Sequence, residues 1–271
     1  MILVNKGKNF VQYLVLTLFS LFSVFPLYWM VVSATNKSVD VMGGTLLPGK
    51  YLLENWKTLL ASQDVGAAMW NSFRYAIILT LLSLFLCSLA GYGFEIFYTK
   101  GKDKVFNLIL LAMMVPQAAT MIPLFQMFSK AGLLNTTAGF VLPAISTPFL
   151  IMLFRQSARS FPVDMIEAAR IDGLNEFQIF TRMFFPTMRS TYAAAMTITF
   201  MNAWNSYLWP KVIMTNGKSL TMPMLIANLK AGYVTDYGSL MLGVTLCCLP
   251  TILIFFLLQK SFANGITGAI K

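Results

Sequence analysis

The chain has 271 residues, of which 57% are hydrophobic and only 11% are charged, whereas a soluble domain of this length carries about 25% charged residues. This composition excludes an ordinary soluble domain and predicts a polytopic membrane protein. The formal net charge is +10, but no basic patch with interleaved aromatic residues appears, so we do not expect a nucleic-acid partner.

Apolar runs recur along the chain that are long enough to cross a bilayer, since a spanning helix needs about 20 apolar residues. We predict an all-α fold with six spans that form a single transmembrane domain over residues 1–271. The predicted spans cover residues 10–34, 74–97, 105–128, 138–154, 190–209 and 239–259. The first is longer than a signal-peptide core, so we expect it to be retained.

The distribution of basic residues predicts the orientation. An even number of spans places both termini on the same side of the membrane. Lys and Arg are about twofold denser in the termini and in segments 98–104 and 155–189 than in the segments on the other side, and basic residues favour the cytoplasmic side. Both termini and segment 155–189 are therefore predicted to be cytoplasmic.

Residues that could carry chemistry are scarce. The chain has no histidine, which excludes triads, metal sites and proton relays that depend on it. Glu95 is the one ionisable residue inside a predicted span; it lies near the inner end, and we expect its carboxylate to extend to the membrane surface or to pair with Lys100 or Lys102. Without carboxylates near the midplane, an intramembrane enzyme or an ion-driven carrier is not favoured.

The polar segment 155–189 lies between the fourth and fifth spans and predicts two short helices. Pro162 suits a first helical turn, and Gly173 suits a helix end with positive φ. Asn175 and Gln178 have the spacing of a capping box that begins a second helix, which Pro186 is expected to end. We therefore predict a cytoplasmic helix–turn–helix over residues 162–185.

Small and bulky side chains near this turn suggest a contact surface. The pair Ala168-Ala169 lets another surface approach closely, and we expect Phe177 and Phe180 to project as apolar side chains.

The fifth span has a polar face with two open interpretations. Small and polar residues recur along it at spacings of three and four, which is typical either of interhelical packing or of a translocation pathway. Its outer end combines amides and aromatic rings that suit a sugar, or a membrane aromatic belt. The candidate pathway residues are Thr199, Asn202, Asn205, Ser206, Tyr207 and Trp209.

Two motifs resemble a known family. Glu167-Ala168-Ala169, followed at family spacing by Gly173 and Pro186, resembles the EAA signature of permease subunits of bacterial binding-protein-dependent ABC importers. Met183 and Phe185 replace the family's Ile and Leu, which are conservative departures. Trp204-Asn205 and Trp209-Pro210 resemble a segment of carbohydrate-type permeases, and the whole chain resembles the smaller, six-span subunit of maltose-type oligosaccharide importers.

The resemblance implies a heterodimer with a second permease in the lipid of the bacterial cell membrane, two cytoplasmic ATPase subunits and an extracytoplasmic sugar-binding protein. The chain itself would catalyse no reaction and hold no cofactor, since the ATPase subunits would bind ATP and Mg. Their coupling contact would involve Glu167, Ala168, Ala169, Asp172, Gly173, Asn175 and Phe177. The binding protein would meet Tyr233, Asp236 and Tyr237.

Two alternatives remain at this point. One is an ABC permease for a solute that is not a sugar. The other is a secondary carrier that needs no ATPase and would transport its solute alone under an ion gradient.

Overall fold

The structure, a computed structural model, describes residues 6–232 and 234–268. Within these two ranges the regular structure is helical and no β-strand occurs. The all-α fold class predicted from the sequence is confirmed.

The described helices follow in chain order. The N-terminal part forms α1 (Lys6–Ser33), α2 (Ser38–Met42), α3 (Leu52–Ser62) and α4 (Val65–Ile96). The middle forms α5 (Lys100–Leu111), α6 (Gln117–Lys130), α7 (Thr137–Val141) and α8 (Pro148–Ala158). The polar segment 155–189 contains α9 (Val163–Ile171), α10 (Glu176–Ile179), the π-helical stretch Phe180–Phe184 and α11 (Phe185–Thr187). The last are α12 (Arg189–Trp204), α13 (Leu208–Ile213), α14 (Met222–Lys230) and α15 (Tyr237–Gly268).

Among the described residues, three single helices are long and apolar enough to cross a bilayer, in α1, α4 and α15. The third and fourth predicted spans are bent helix pairs rather than straight helices. The pair Lys100–Met114 and Gln117–Lys130 bends by 100°, and the pair Thr137–Ala144 and Pro148–Ala158 bends by 52°. Pro116 and Pro148 stand at the two breaks, where the preceding residue disfavours a helical conformation.

The fifth predicted span is shorter than expected. Helix α12 has 16 residues and ends at Trp204, so it is roughly 24 Å long and falls short of a bilayer core of about 30 Å. The Asn205 amide donates to the carbonyl oxygen of Met201 at 2.9 Å, which ends the helix. The number of six spans therefore stays a prediction.

The chain divides into two compact units. In the unit made of the described residues up to Val65 and Leu225–Leu249, a buried polar network joins α1, α3 and α15. The Asn55 amide donates to the carbonyl oxygens of Ala34 and Asn36 at 2.8 and 3.0 Å, and the Ser239 hydroxyl donates to the Asn55 carbonyl oxygen at 3.2 Å. These bonds satisfy backbone groups where α1 ends.

The other unit contains Gly66–Met224 and the last part of α15. Its helices α4 and α8 approach backbone to backbone. A Cβ atom on Gly91 would lie 2.6 Å from the Phe154 Cβ atom and 2.7 Å from the Arg155 backbone nitrogen. Only glycine permits this approach, and a buried cluster that includes Cys87, Phe106 and Phe154 packs beside it.

Candidate functional site

The polar segment 155–189 forms the helix–turn–helix that its sequence predicts. Gly173 ends the first helix with φ +83°. The Asn175 side-chain oxygen accepts from the Gln178 backbone nitrogen, and the Gln178 side chain accepts from the Asn175 nitrogen, both at 2.9 Å. An ion pair of 2.7 Å between Arg170 and Glu176 joins the two helices across the turn. We call residues 162–187 the coupling module, after the contact with ATPase subunits that the family resemblance predicts for it.

The second helix of the module departs from the prediction in two ways. Pro186 does not end it, because a π-helical stretch precedes the proline and the chain stays helical to Thr187. The wider π turn relieves the clash between a proline ring and the preceding turn. Phe180 does not project either; it is buried, because it packs inside the module.

The module is attached to the membrane helices through an apolar cluster. Ile166 and Ala169 of α9 pack with Phe180 and Phe184 of the second helix against Tyr92 of α4. The rings of Tyr92 and Phe184 lie 5.0 Å apart in an edge arrangement. The module and α4 are therefore in direct contact.

The predicted coupling residues divide between the surface and the core of the module. Ala169 is buried, so of the alanine pair Ala168 alone is available to a partner. Phe177 is 60% exposed. The remaining predicted residues are also exposed: Glu167, Asp172, Gly173 and Asn175.

Sequence reasoning missed Ile171, which is 86% exposed beside this turn. The available signal is its spacing. Ile166 and Ala169 lie three residues apart on the buried face of α9, and Ile171 falls outside that period. Together with Phe177 it gives the end of the module an exposed apolar surface.

A buried arginine organises the helices next to the module. The Arg155 side chain is 4% exposed and forms ion pairs with Glu95 at 3.0 Å and with Asp103 at 2.8 Å. Its guanidinium carbon lies 4.2 Å from the centre of the Phe106 ring. The expected pairing of Glu95 with Lys100 or Lys102 is therefore wrong.

The physical reason is the close packing of α4 and α8, which brings Arg155 to Glu95 although 60 residues separate them. The Lys102 ammonium instead donates to the carbonyl oxygen of Phe97 at 2.9 Å.

A cavity of about 760 Å³ lies among α4, α6, α7, α8, α12 and α13. All six candidate pathway residues line it: Thr199, Asn202, Asn205, Ser206, Tyr207 and Trp209. Its wall also includes Gln117, Thr120 and Thr147, which sequence reasoning did not identify because they lie in other parts of the chain. The size is typical of ligand sites in proteins.

The cavity wall is uncharged, with hydroxyl and amide groups placed among side chains that are mostly apolar. None of the described residues that line it is Asp, Glu, Lys or Arg. The Thr199 hydroxyl is buried and has no hydrogen-bond partner among the described residues. The other hydroxyl and amide side chains of the wall suit a ligand that supplies hydrogen-bonding groups.

The loop predicted to meet a binding protein is only partly described, since Tyr233 lies outside the described residues. Asp236 caps α15: its carboxylate accepts from the hydroxyls of Ser38 and Ser239, each at 2.8 Å. Partial burial raises the pKa of Asp236, but these bonds and two backbone bonds outweigh it and hold the pKa below its usual value. The backbone N–H of Tyr237 donates a hydrogen bond to the same Ser38 hydroxyl, at 2.9 Å.

Comparison with known proteins identifies the family. Residues 97–268 match the model of the inner membrane component of binding-protein-dependent transport systems. The chain belongs to this family. It is therefore a multi-pass membrane permease, as the resemblance of its motifs implies.

Relatives of this permease span nearly its whole length. The lactose transport system permease protein LacG of Rhizobium radiobacter is 43% identical over 267 residues, which cover 98% of each chain. The arabinooligosaccharides transport system permease protein AraQ of Bacillus subtilis is 32% identical over 94% of this chain and 95% of its own. The sn-glycerol-3-phosphate transport system permease protein UgpE of Escherichia coli K12 is 30% identical over 92% of each chain.

A solved structure has the same fold. A chain of a bacterial ABC transporter involved in the import of the acidic polysaccharide alginate superposes with a TM-score of 0.85, covering 97% of this permease and 99% of that chain. The two are 19% identical, so this likeness concerns the fold alone.

Proposed function

We propose that this permease carries a sugar or an oligosaccharide as one of two membrane subunits of an ATP-driven importer. The observation that carries the proposal is the uncharged, hydrogen-bonding cavity that all six candidate pathway residues line. Its amides, hydroxyls and aromatic rings match a solute that offers hydroxyl groups and apolar ring faces. The 43% identity to a lactose transport permease over 98% of the chain supports the same class of solute.

The energy for transport would come from partner subunits. Two cytoplasmic ATPase subunits would bind ATP and Mg, and this chain would act without catalysis or a cofactor of its own. Closure of the ATPases would displace the coupling module, and the module would move α4 through the contacts of Phe180 and Phe184 with Tyr92. The spans would then reorient so that the cavity opens outward.

The same proposal gives the orientation in the bacterial cell membrane. The termini and segment 155–189 would face the cytoplasm, since they hold the denser basic charge. An extracytoplasmic sugar-binding protein would deliver the solute to the opposite side, near Asp236 and Tyr237. A second permease would complete the translocation pathway.

A non-sugar solute is the second candidate, because a glycerol-3-phosphate permease is 30% identical to this chain. That solute is an anion, and an anion inside a membrane protein is commonly paired with Lys or Arg side chains. No Lys or Arg occurs among the described residues that line the cavity. The wall contributed by this chain therefore favours an uncharged solute.

The direct test is purification from crosslinked native membranes, followed by identification of the partners and of the ligand held by the binding protein. The assembled complex is then reconstituted in vesicles with that ligand and internal ATP. We expect a second permease, an ATPase, a sugar-binding protein and uptake that depends on ATP. Transport by the isolated permease under an ion gradient would instead establish a secondary carrier.

A further inference from the structure

Arg155 joins three helices near the coupling module and lies outside both the module and the cavity. We propose that Arg155 is a positioning residue that makes α5, and through it the cavity wall on α6, move together with the coupling module. This inference rests on the coupling function proposed above. It assigns a route by which motion at the ATPase side reaches the pathway.

The first half of the route runs from the module to Arg155. The module packs on Tyr92 of α4 and on Ala158 and Phe161, which close α8 and lead into the module. Helices α4 and α8 touch backbone to backbone at Gly91, where no Cβ atom could fit. The module, the end of α4 and the end of α8 thus form one tightly packed body that carries Arg155.

The second half runs from Arg155 to the cavity. Its Nη2 atom bonds Asp103 on the first turn of α5 at 2.8 Å. Helix α5 continues through a 100° bend into α6, and Gln117, Thr120 and Met121 of α6 line the cavity. A shift of α5 is therefore transmitted to the wall that meets the solute.

The guanidinium of Arg155 suits a link that fixes the relative orientation of α4 and α5. Two different nitrogens of one planar guanidinium bond two carboxylates on two helices, which fixes orientation as well as distance. The Phe106 ring, on α5 itself, covers the guanidinium at 4.2 Å. A lysine ammonium lacks this fork. Phe106 also packs with Phe154 in the buried apolar cluster, so the two ion pairs add a fixed orientation to an existing contact between α5 and α8.

Arg159 offers a matched comparison. It also approaches Glu95, at 3.4 Å, but its side chain is 53% exposed and no contact with Asp103 occurs among the described residues. It shares the charge and the neighbourhood of Arg155 without the link to α5.

The experiment uses the full importer, with both permeases, the ATPases and the binding protein, reconstituted in vesicles. We measure solute imported per ATP hydrolysed for Arg155→Gln, Arg155→Lys, Asp103→Asn and the control Arg159→Gln. We expect Arg155→Gln and Asp103→Asn to lower this ratio by about tenfold while ATP hydrolysis stays within about twofold, because misplacement of an aligned group is costly. Arg155→Lys should be intermediate, and Arg159→Gln should match the parent.

A distance measurement separates positioning from general stability. Spin labels replace Lys104 on α5 and Asp164 on the module, both exposed, after the three native cysteines Cys87, Cys247 and Cys248 have been substituted. In the parent, the distance between the labels should stay constant between the resting and the ATP-trapped importer. In Asp103→Asn, it should change between these states by up to about one helical turn, roughly 5 Å.

The variants test the role of Arg155 and the proposed coupling function separately. If Arg155→Gln fails to assemble, Asp103→Asn, which leaves the pair of Arg155 with Glu95 intact, gives the answer. A parental import ratio and a constant label distance in Asp103→Asn overturn the inference. Gly173→Pro serves as the reference: if it uncouples import while Asp103→Asn does not, only the role of Arg155 is wrong. If Gly173→Pro also keeps the parental ratio, the proposed coupling function itself is wrong.

Discussion

The indole nitrogen of Trp209 donates a hydrogen bond of 3.0 Å to the carbonyl oxygen of Gly139. This buried bond fixes α13 against α7 on the wall of the cavity. The Trp209 ring also meets the Phe128 ring edge-on, with centroids 5.6 Å apart. Trp209 thus joins α13 to α7 and α6 beside the cavity.

Replacement of Trp209 by Phe should alter the cavity wall while it keeps an aromatic ring in place. The variant leaves the Gly139 carbonyl without its donor, which costs about 1–3 kcal/mol. We expect a lower temperature of unfolding and several-fold weaker uptake. Both are measured on the purified importer, with Phe128→Leu as the control that loses the ring contact but keeps the hydrogen bond. Unchanged uptake in Trp209→Phe contradicts a role of this bond in shaping the cavity.

The unpartnered hydroxyl of Thr199 provides a second test. Thr199→Val has nearly the same shape and removes a buried hydroxyl, so the free permease should be no less stable than the parent. If the hydroxyl binds the solute, the KM for uptake should rise several-fold, since one hydrogen bond contributes about 1 kcal/mol.

Thr197→Val is the matched control, because the Thr197 hydroxyl donates to the Ala193 carbonyl oxygen at 2.8 Å within its own helix. An equal rise in KM for both valine variants would show that Thr199 acts only through packing.

The exposed apolar end of the coupling module should bind a partner. Ile171→Asn changes a side chain that is 86% exposed, so the unfolding of the permease should be unaffected. We expect less ATPase to co-purify with it, because apolar contact area is lost at the interface. Val234→Asn is the control, since Val234 is 90% exposed elsewhere. Full ATPase recovery with Ile171→Asn would place the contact at a different surface.

The Asp236 cap predicts a defined dependence of stability on pH. The pKa of Asp236 is lowered in the folded chain, so its contribution is present at pH values above the unfolded pKa of about 3.9 and is lost as pH falls through the folded value. Asp236→Ala should lower the free energy of unfolding by about 1–2 kcal/mol at pH 7. The difference from the parent should shrink below pH 4 in thermal melts. A difference that stays constant down to pH 3 argues against the carboxylate as the cause.

The features of the site that the sequence predicts are those that depend on residues close together in the chain. Gly173 and the Asn175–Gln178 pair act on their immediate neighbours, so the helix–turn–helix was predictable from residues 162–185 alone. The polar face of the fifth span also follows one helix, so its spacing grouped Thr199 with Asn202.

The remaining features depend on tertiary packing. The pairing of Arg155 with Glu95 and Asp103 depends on how closely α4 approaches α8, which no local pattern records. Gln117 reaches the cavity through the 100° bend of its helix pair; the prolines mark such a break but do not determine its angle.

The early end of α12 has a consequence for how a solute travels. Residues 205–207 leave the helix at Trp204 and line the cavity. Non-helical backbone at membrane depth is tolerated where it is enclosed by protein or faces water. If the cavity is the pathway proposed above, a solute inside it exchanges part of its hydration shell for the amides and hydroxyls of this turn.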